Sequence, residues 1–149
     1  MIVVLQRVTQ AKVDIDEKTV GQIGKGLMVL VCAEKGDTDE KARLLAQRLL
    51  RYRVFEDEND KLNLSVKDIG GGVMAVSQFT LLGDVRKGKR PSFTKAAAPE
   101  EANALYRKVI ELIQAEDIHV EEGIFRADMM VEIHNDGPVT ILLDSNKNF

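Results

Sequence analysis

Apolar positions along the chain keep two different rhythms. Met1-Ile2-Val3-Val4-Leu5 is apolar on both faces, the pattern of a central strand, and it ends at Gln6-Arg7-Val8. Val13 and Ile15 then alternate with Lys12, Asp14 and Asp16. Val20 and Ile23 follow the polar stretch Asp16-Glu17-Lys18, which predicts a hairpin. Gly24-Lys25-Gly26 breaks the chain before a second strand apolar on both faces, at 27–33. There the period changes. Ala42, Leu45, Ala46, Leu49 and Leu50 recur at helical spacing, and Asp37 with Glu40 has the spacing of an N-terminal cap, which predicts a helix to about Tyr52.

Val54-Phe55 opens another strand, followed by an exposed acidic turn at 56–61. Leu62, Leu64 and Val66 alternate with Asn63 and Ser65, and Asp68-Ile69-Gly70-Gly71-Gly72 makes a turn. Val73-Met74-Ala75-Val76 is a buried strand that runs straight into Ser77-Gln78-Phe79-Thr80-Leu81. Pro99-Glu100-Glu101 begins a second helix, with Ala102, Leu105, Tyr106, Val109, Ile110 and Ile113 as its apolar stripe. A short strand at Ile118-His119-Val120 leads through Gly123–Asp128 to Met129, Val131 and Ile133, which alternate with polar partners. Val139, Ile141 and Leu143 resume that alternation after Asn135-Asp136-Gly137-Pro138. Asp-Gly between two such runs reads as a hairpin corner. Pro138 makes it rigid, supplies no N–H, and leaves neighbouring carbonyls free of the ladder. About eight to ten strands and two long helices, with no repeat or linker, predict a single α+β domain over 1–149, helices covering sheet faces.

Composition narrows the chemistry more than the fold. A chain that is 44% hydrophobic and 30% charged is a soluble globular one, and its net charge of −3 gives no global field toward a polyanion. Any nucleic-acid contact therefore falls to a local patch. Arg86-Lys87-Gly88-Lys89-Arg90-Pro91-Ser92-Phe93-Thr94-Lys95 holds five basic residues and no acidic one. Cys32 is the single cysteine, in an apolar strand, so it reads as a buried hydrophobe, and no intrachain disulfide can form. One cysteine and two histidines argue against a zinc cluster. No metal or cofactor is expected. With no signal-peptide pattern and no apolar run near the ~20 residues of a membrane span, the expected setting is cytoplasmic. Neither GxSxG nor HExxH occurs, and nothing in the spacing joins Ser77 or Thr80 to His119 or His134 in a triad. Backbone N–H groups at the strand end 78–80 remain as a means of stabilising an oxyanion.

Ser77-Gln78-Phe79-Thr80-Leu81 together with Asn135-x-Gly137-Pro138-Val139-Thr140 resembles the two signature motifs of the D-aminoacyl-tRNA deacylases of the D-tyrosyl-tRNA deacylase type. The opening Met1–Val8 with Arg7 is also similar, as are Leu62–Val66 with Asp68–Gly71, and Lys87-Gly88-x-Arg90-Pro91-Ser92-Phe93. Leu82-Gly83 departs from the pattern, since an aromatic residue often follows the first motif. The resemblance implies a barrel-like β core of mixed and antiparallel sheet. It implies an esterase that releases D-amino acids, and misattached glycine, from tRNA. It further implies a homodimer with active sites at the subunit interface. A cis Gly137-Pro138 would enter the partner's site and exclude L side chains, with Arg7 anchoring the loop and Phe125 and Met129 lining the pocket. Ser77, Gln78, Phe79 and Thr80 would surround the ester, with the substrate's own 2′-OH assisting water. Arg86, Lys87, Lys89 and Arg90 would meet the tRNA. Two alternatives stand beside this: Thr80 as a nucleophile, and a non-catalytic tRNA-binding module.

Overall fold

Strand β1 (Ile2–Ile15) is long enough to pair with three neighbours, and the sheet is arranged around it. The computed structural model describes residues 1–149. The first half of β1 pairs antiparallel with β3 (Gly26–Cys32), from Ile2 opposite Cys32 to Val8 opposite Gly26. Its second half pairs with β2 (Lys18–Ile23), and nearly its whole length runs against β8 (Met130–Asp144). Beyond β3 the sheet continues in parallel through β6 (Gly72–Ser77) to β7 (Val120–Glu122). The parallel steps require crossovers. Helix α1 (Asp39–Arg51) lies in the first and α2 (Pro99–Gln114) in the second. A two-stranded ribbon, β4 (Phe55–Glu56) with β5 (Leu62–Leu64), lies within the first crossover.

The sheet curls until its ends nearly meet. A Cβ on Gly21 of β2 would fall 2.8 Å from the Glu122 carbonyl oxygen of β7, so the absence of a side chain there permits the approach. The result is the barrel-like α+β fold that the resemblance implies. Alternation divides the apolar residues between two cores. Val3, Leu5, Leu27, Val29 and Val73 face the helices and pack with Leu45, Leu49, Val109, Ile110 and Ile113 in a cluster of 24 buried residues. Val8, Ala11, Val13, Ile23, Met28, Met74 and Val76 fill the enclosed side. Each large side chain so buried stabilises the fold by roughly 1.5–3 kcal/mol.

The structure differs from the sequence reading at several joints. The stretch around Asp136-Gly137 is no hairpin corner, because the runs on either side of it both pair with β1 and continue one strand, β8. Gln6 faces Thr140 and Val8 faces Asn135, so Arg7 alone stands opposite the four residues 136–139, which bulge out of the ladder. The cap of α1 is Thr38, without a side-chain hydrogen bond. Asp37 is instead buried against the Met1 amino group at 2.7 Å and accepts the Glu34 N–H at 2.6 Å. The strand at 62–66 stops at Leu64, because Ser65 and Asp68 bind each other's backbone N–H and start a turn. The strand end expected at 78–80 is instead a 3-10 turn over Phe79–Leu82, because β6 stops at Ser77.

Candidate active site

Strands β3 and β6 end side by side, and the Gln78 N–H donates to the Val31 carbonyl at 2.8 Å, fixing where the chain leaves the sheet. The 3-10 turn begins one residue later. At the start of such a turn the leading N–H groups have no partner within it, and here these belong to Phe79 and Thr80. Both residues are exposed. The Thr80 hydroxyl accepts from the Gln78 side-chain amide at 3.1 Å. The Phe79 ring meets Phe93 edge to face, with centroids 5.0 Å apart.

A cavity of about 590 Å³ opens beside this turn. Ser77, Phe79, Phe125 and Met129 line it, so the structure gathers four of the residues singled out in the sequence. Gln78 and Thr80 sit in the adjoining turn without lining it. Phe125 is backed by Tyr106 of α2, ring centroids 6.3 Å apart. The Tyr106 hydroxyl donates to the Ala75 carbonyl at 2.9 Å, and burial pushes it well above the usual tyrosine range. Met129 reaches the cavity because Gly123 lacks a side chain, since a Cβ there would come 2.5 Å from the Met129 Sδ.

Phe93, Ala96–Ala98, Arg126 and Asp128 also line the cavity, and the sequence reading gave none of them a role in the pocket. A run of three alanines directly before a helix-starting proline was the available signal for open space. No cluster of three or more His, Cys, Asp or Glu side chains is placed to hold a metal ion.

Gly137 and Pro138 lie elsewhere on the surface, exposed, at the tip of the bulge in β8, and the bond between them is cis. Arg7 is buried beneath them. Its Nε donates to the Asp136 carbonyl at 2.9 Å and its Nη1 to the Val54 carbonyl at 2.8 Å, tying the bulge to the chain before β4. Asn135 braces the other side by accepting the Val139 N–H at 2.8 Å.

The basic loop is closed by Asp84 and Ser92, which exchange backbone hydrogen bonds. Arg86 is engaged within it. The Nε and Nη2 of its guanidinium donate to the Asp84 carboxylate at 2.9 and 2.6 Å, and these bonds keep that acid far below the usual carboxylate range. Lys87, Lys89 and Arg90 are exposed and point their charge at solvent.

The family model for D-Tyr-tRNA(Tyr) deacylase matches residues 4–144. The chain belongs to that family. A D-aminoacyl-tRNA deacylase of Thermotoga petrophila is 56% identical over 149 residues, with 100% of both chains covered. One from Anaeromyxobacter dehalogenans is 53% identical over the same span. Among solved structures, a c-Myc DNA Unwinding Element Binding Protein superposes with a TM-score of 0.90 at 38% identity, covering 97% of this chain and 98% of that one. A probable eukaryotic D-amino acid tRNA deacylase shares the fold, with a TM-score of 0.80 at 21% identity over 95% of this chain and 97% of its own. No helix of the chain is long and apolar enough to cross a membrane.

Proposed function

We propose that this deacylase-family chain is an ester hydrolase that frees D-amino acids from tRNA, in the cytoplasm, using main-chain groups in place of a catalytic side chain. Its enzyme class follows from the family to which it belongs. The observation that carries it is the Phe79–Thr80 turn at the edge of an apolar cavity, with two leading N–H groups and no acceptor side chain hydrogen-bonded to the Thr80 hydroxyl. Such donors suit the oxyanion of ester hydrolysis. Water would be activated by the 2′-OH of the terminal ribose. A nucleophilic Thr80 needs a proton acceptor within reach. Its hydroxyl is instead partnered by the Gln78 amide NH₂, which accepts no proton.

Chiral choice is assigned to Gly137-Pro138. In a homodimer the bulge of one copy would enter the cavity of the other, where its carbonyls exclude an L side chain and accept from the substrate amino group. The exposure of these residues and their tether to the buried Arg7 support that role. Glycine, lacking a side chain, would pass the same filter. Lys87, Lys89 and Arg90 would meet the tRNA backbone, with Arg86 shaping the loop through Asp84.

The test is deacylation of D-Tyr-tRNA and L-Tyr-tRNA by the wild type and by Thr80→Ala. Wild type is expected to release tyrosine from the D ester alone. Thr80→Ala should retain activity within about tenfold, a change of ~1.4 kcal/mol in barrier. Binding of both tRNAs without release would favour the binding-module reading, and loss of nearly all turnover in Thr80→Ala would favour the nucleophile.

A further inference from the structure

We propose that Arg126 forms a subsite for the RNA backbone, gripping the phosphodiester that precedes the aminoacylated nucleotide. This rests on the deacylase reading above and adds a residue to which neither the sequence motifs nor the family assignment gave a part.

Three observations converge on it. First, Arg126 is the one cationic residue on the lining of the catalytic cavity, whose walls are otherwise mostly alanine, phenylalanine and methionine. Second, its guanidinium is uncommitted. The cations in the chain's ion pairs with side-chain carboxylates are Arg7, Lys12, Lys41, Lys67, Arg86 and Arg107, together with the Met1 amino group and the two histidines. Arg48 and Arg53 are held by hydrogen bonds. Arg126 is in neither set, although Asp128 stands two residues away on the same lining. Asp128 faces a second, acidic pocket as well, with Asp14, Asp16 and Glu17, and Arg126 does not line that one. Third, Arg126 has φ +69, in the left-handed region that a residue with a Cβ disfavours. It occupies the turn closed by the Ala127 N–H on the Ile124 carbonyl at 3.1 Å. Glycine would serve that turn better. A disfavoured backbone carrying an unpaired cation to a cavity wall points to a ligand that the cation meets.

The chemistry of that ligand follows from the substrate. With the ester beside Phe79 and Thr80, the cavity holds the terminal nucleoside and its amino acid, and the nearest anion is the phosphate on the 5′ side of that nucleoside. A planar guanidinium matches two phosphate oxygens at once, a match that an ammonium lacks. The basic loop at 86–90 leaves the cavity edge through Phe93 and suits phosphates farther along the strand.

Arg126→Ala, Arg126→Lys and Arg126→Gly would be assayed on D-Tyr-tRNA and on D-tyrosyl-adenosine, an ester with no phosphate. The expected result is a fall in kcat/KM on the tRNA ester of ~10–100-fold in the Ala and Gly variants, carried by KM, with a partial loss in Lys. The salt dependence of KM should become shallower by about 0.7–0.9 in log–log slope, the share of one phosphate contact. On the phosphate-free ester all variants should stay within about twofold of wild type. Arg126→Gly should also melt at a higher temperature, which separates lost contact from lost fold. Unchanged tRNA kinetics in Arg126→Ala, or an equal loss on both esters, would overturn the assignment of Arg126 while leaving the deacylase reading in place. Failure of the wild type to cleave either ester would overturn that reading and this inference together.

Discussion

Two cavities of similar size stand at opposite ends of the same strands. One, about 590 Å³, lies beyond the C-terminal ends of β3 and β6, and ten of its fourteen lining residues are hydrophobic. The other, about 530 Å³, lies by their N-terminal ends between Gln22–Lys25, Gly70–Gly72 and Asp117–His119, and only three of its twelve are. The second has lysines and glycines, the residue types of an anion site, yet its glycine N–H groups and Lys67 are already occupied, and the Lys25 ammonium stands over the Phe55 ring, 5.9 Å from its centroid. The N–H of Gly70 donates to Lys67, that of Gly71 to Val66 and that of Gly72 to Lys25, at 3.1, 2.9 and 3.2 Å. Lys67 pairs with Glu116 at 3.1 Å. At the first cavity the polar lining residues are few, Ser77, Arg126 and Asp128, the Arg126 guanidinium is unpartnered, and the leading amides of the 3-10 turn stand at its edge. Volume does not distinguish the two ends. Apolar walls with uncommitted donors do.

Filling each cavity would break this comparison outright if it is wrong. Ala98 is exposed on the rim of the first, and Gly24 on the second, where an added Cβ meets nothing within 4 Å. Ala98→Trp should lower kcat/KM on D-Tyr-tRNA by about 100-fold or more, ~2.7 kcal/mol of transition-state stabilisation, with little change in melting temperature. Gly24→Trp should leave it within about twofold. The reverse pattern would move the active site to the other end of the barrel.

A smaller effect is expected from loosening the bulge that carries Gly137 and Pro138. Arg7→Ala strands two carbonyls, those of Asp136 and Val54, that the buried guanidinium now satisfies. It should cost about 2–4 kcal/mol of stability by denaturant unfolding. If the bulge completes a partner's cavity, preference for D-Tyr-tRNA over L-Tyr-tRNA should also fall by about tenfold, ~1.4 kcal/mol, in the fraction that remains folded. Arg7→Lys keeps the charge without the two-armed reach and should fall between. Selectivity equal to wild type would separate the bulge from the first cavity.

The helix-backed core was legible in the chain because its signal is periodic. The stripe Ala42–Leu50, the stripe Ala102–Ile113 and the apolar runs at 1–5, 27–33 and 73–76 each gave an element of the right type. The failures cluster where tertiary partners decide. Asp136-Gly137 carries the local chemistry of a hairpin, but β1 offers pairing to both flanks, and a continuous strand with a bulge satisfies more backbone than a corner would. Asp37 has the spacing of a cap, yet a buried ammonium outcompetes a helix terminus for its carboxylate. At the site, the motif residues 77–80 were legible as sequence. Arg126 and Asp128 were not, because nothing in a run of single letters shows which turn folds onto which wall.

The smallest effect probes how well the floor of the first cavity is sealed. Cys32 ends β3 just beneath the turn, and its Sγ–H donates toward the Phe79 carbonyl at 3.6 Å. Burial, the largest influence, pushes the thiol up from 9.0 to about 11. Between those values the unfolded chain releases a proton that the folded one retains. The contribution of Cys32 to stability is therefore constant below about pH 9 and is lost as pH rises toward 11. A Cys32→Ser variant, which has no such proton, should show a flatter fall in stability across that window when the two are unfolded side by side. The same burial sets reactivity, because only the thiolate attacks an alkylating agent. Native protein should label slowly with iodoacetamide at pH 8, and no faster when the cavity is empty than when a non-hydrolysable aminoacyl-adenosine fills it. Rapid labelling that the analogue suppresses would mean that the turn lifts from the sheet and that the cavity reaches the thiol. The amides of Phe79 and Thr80 would then lack the fixed position that stabilising an oxyanion requires.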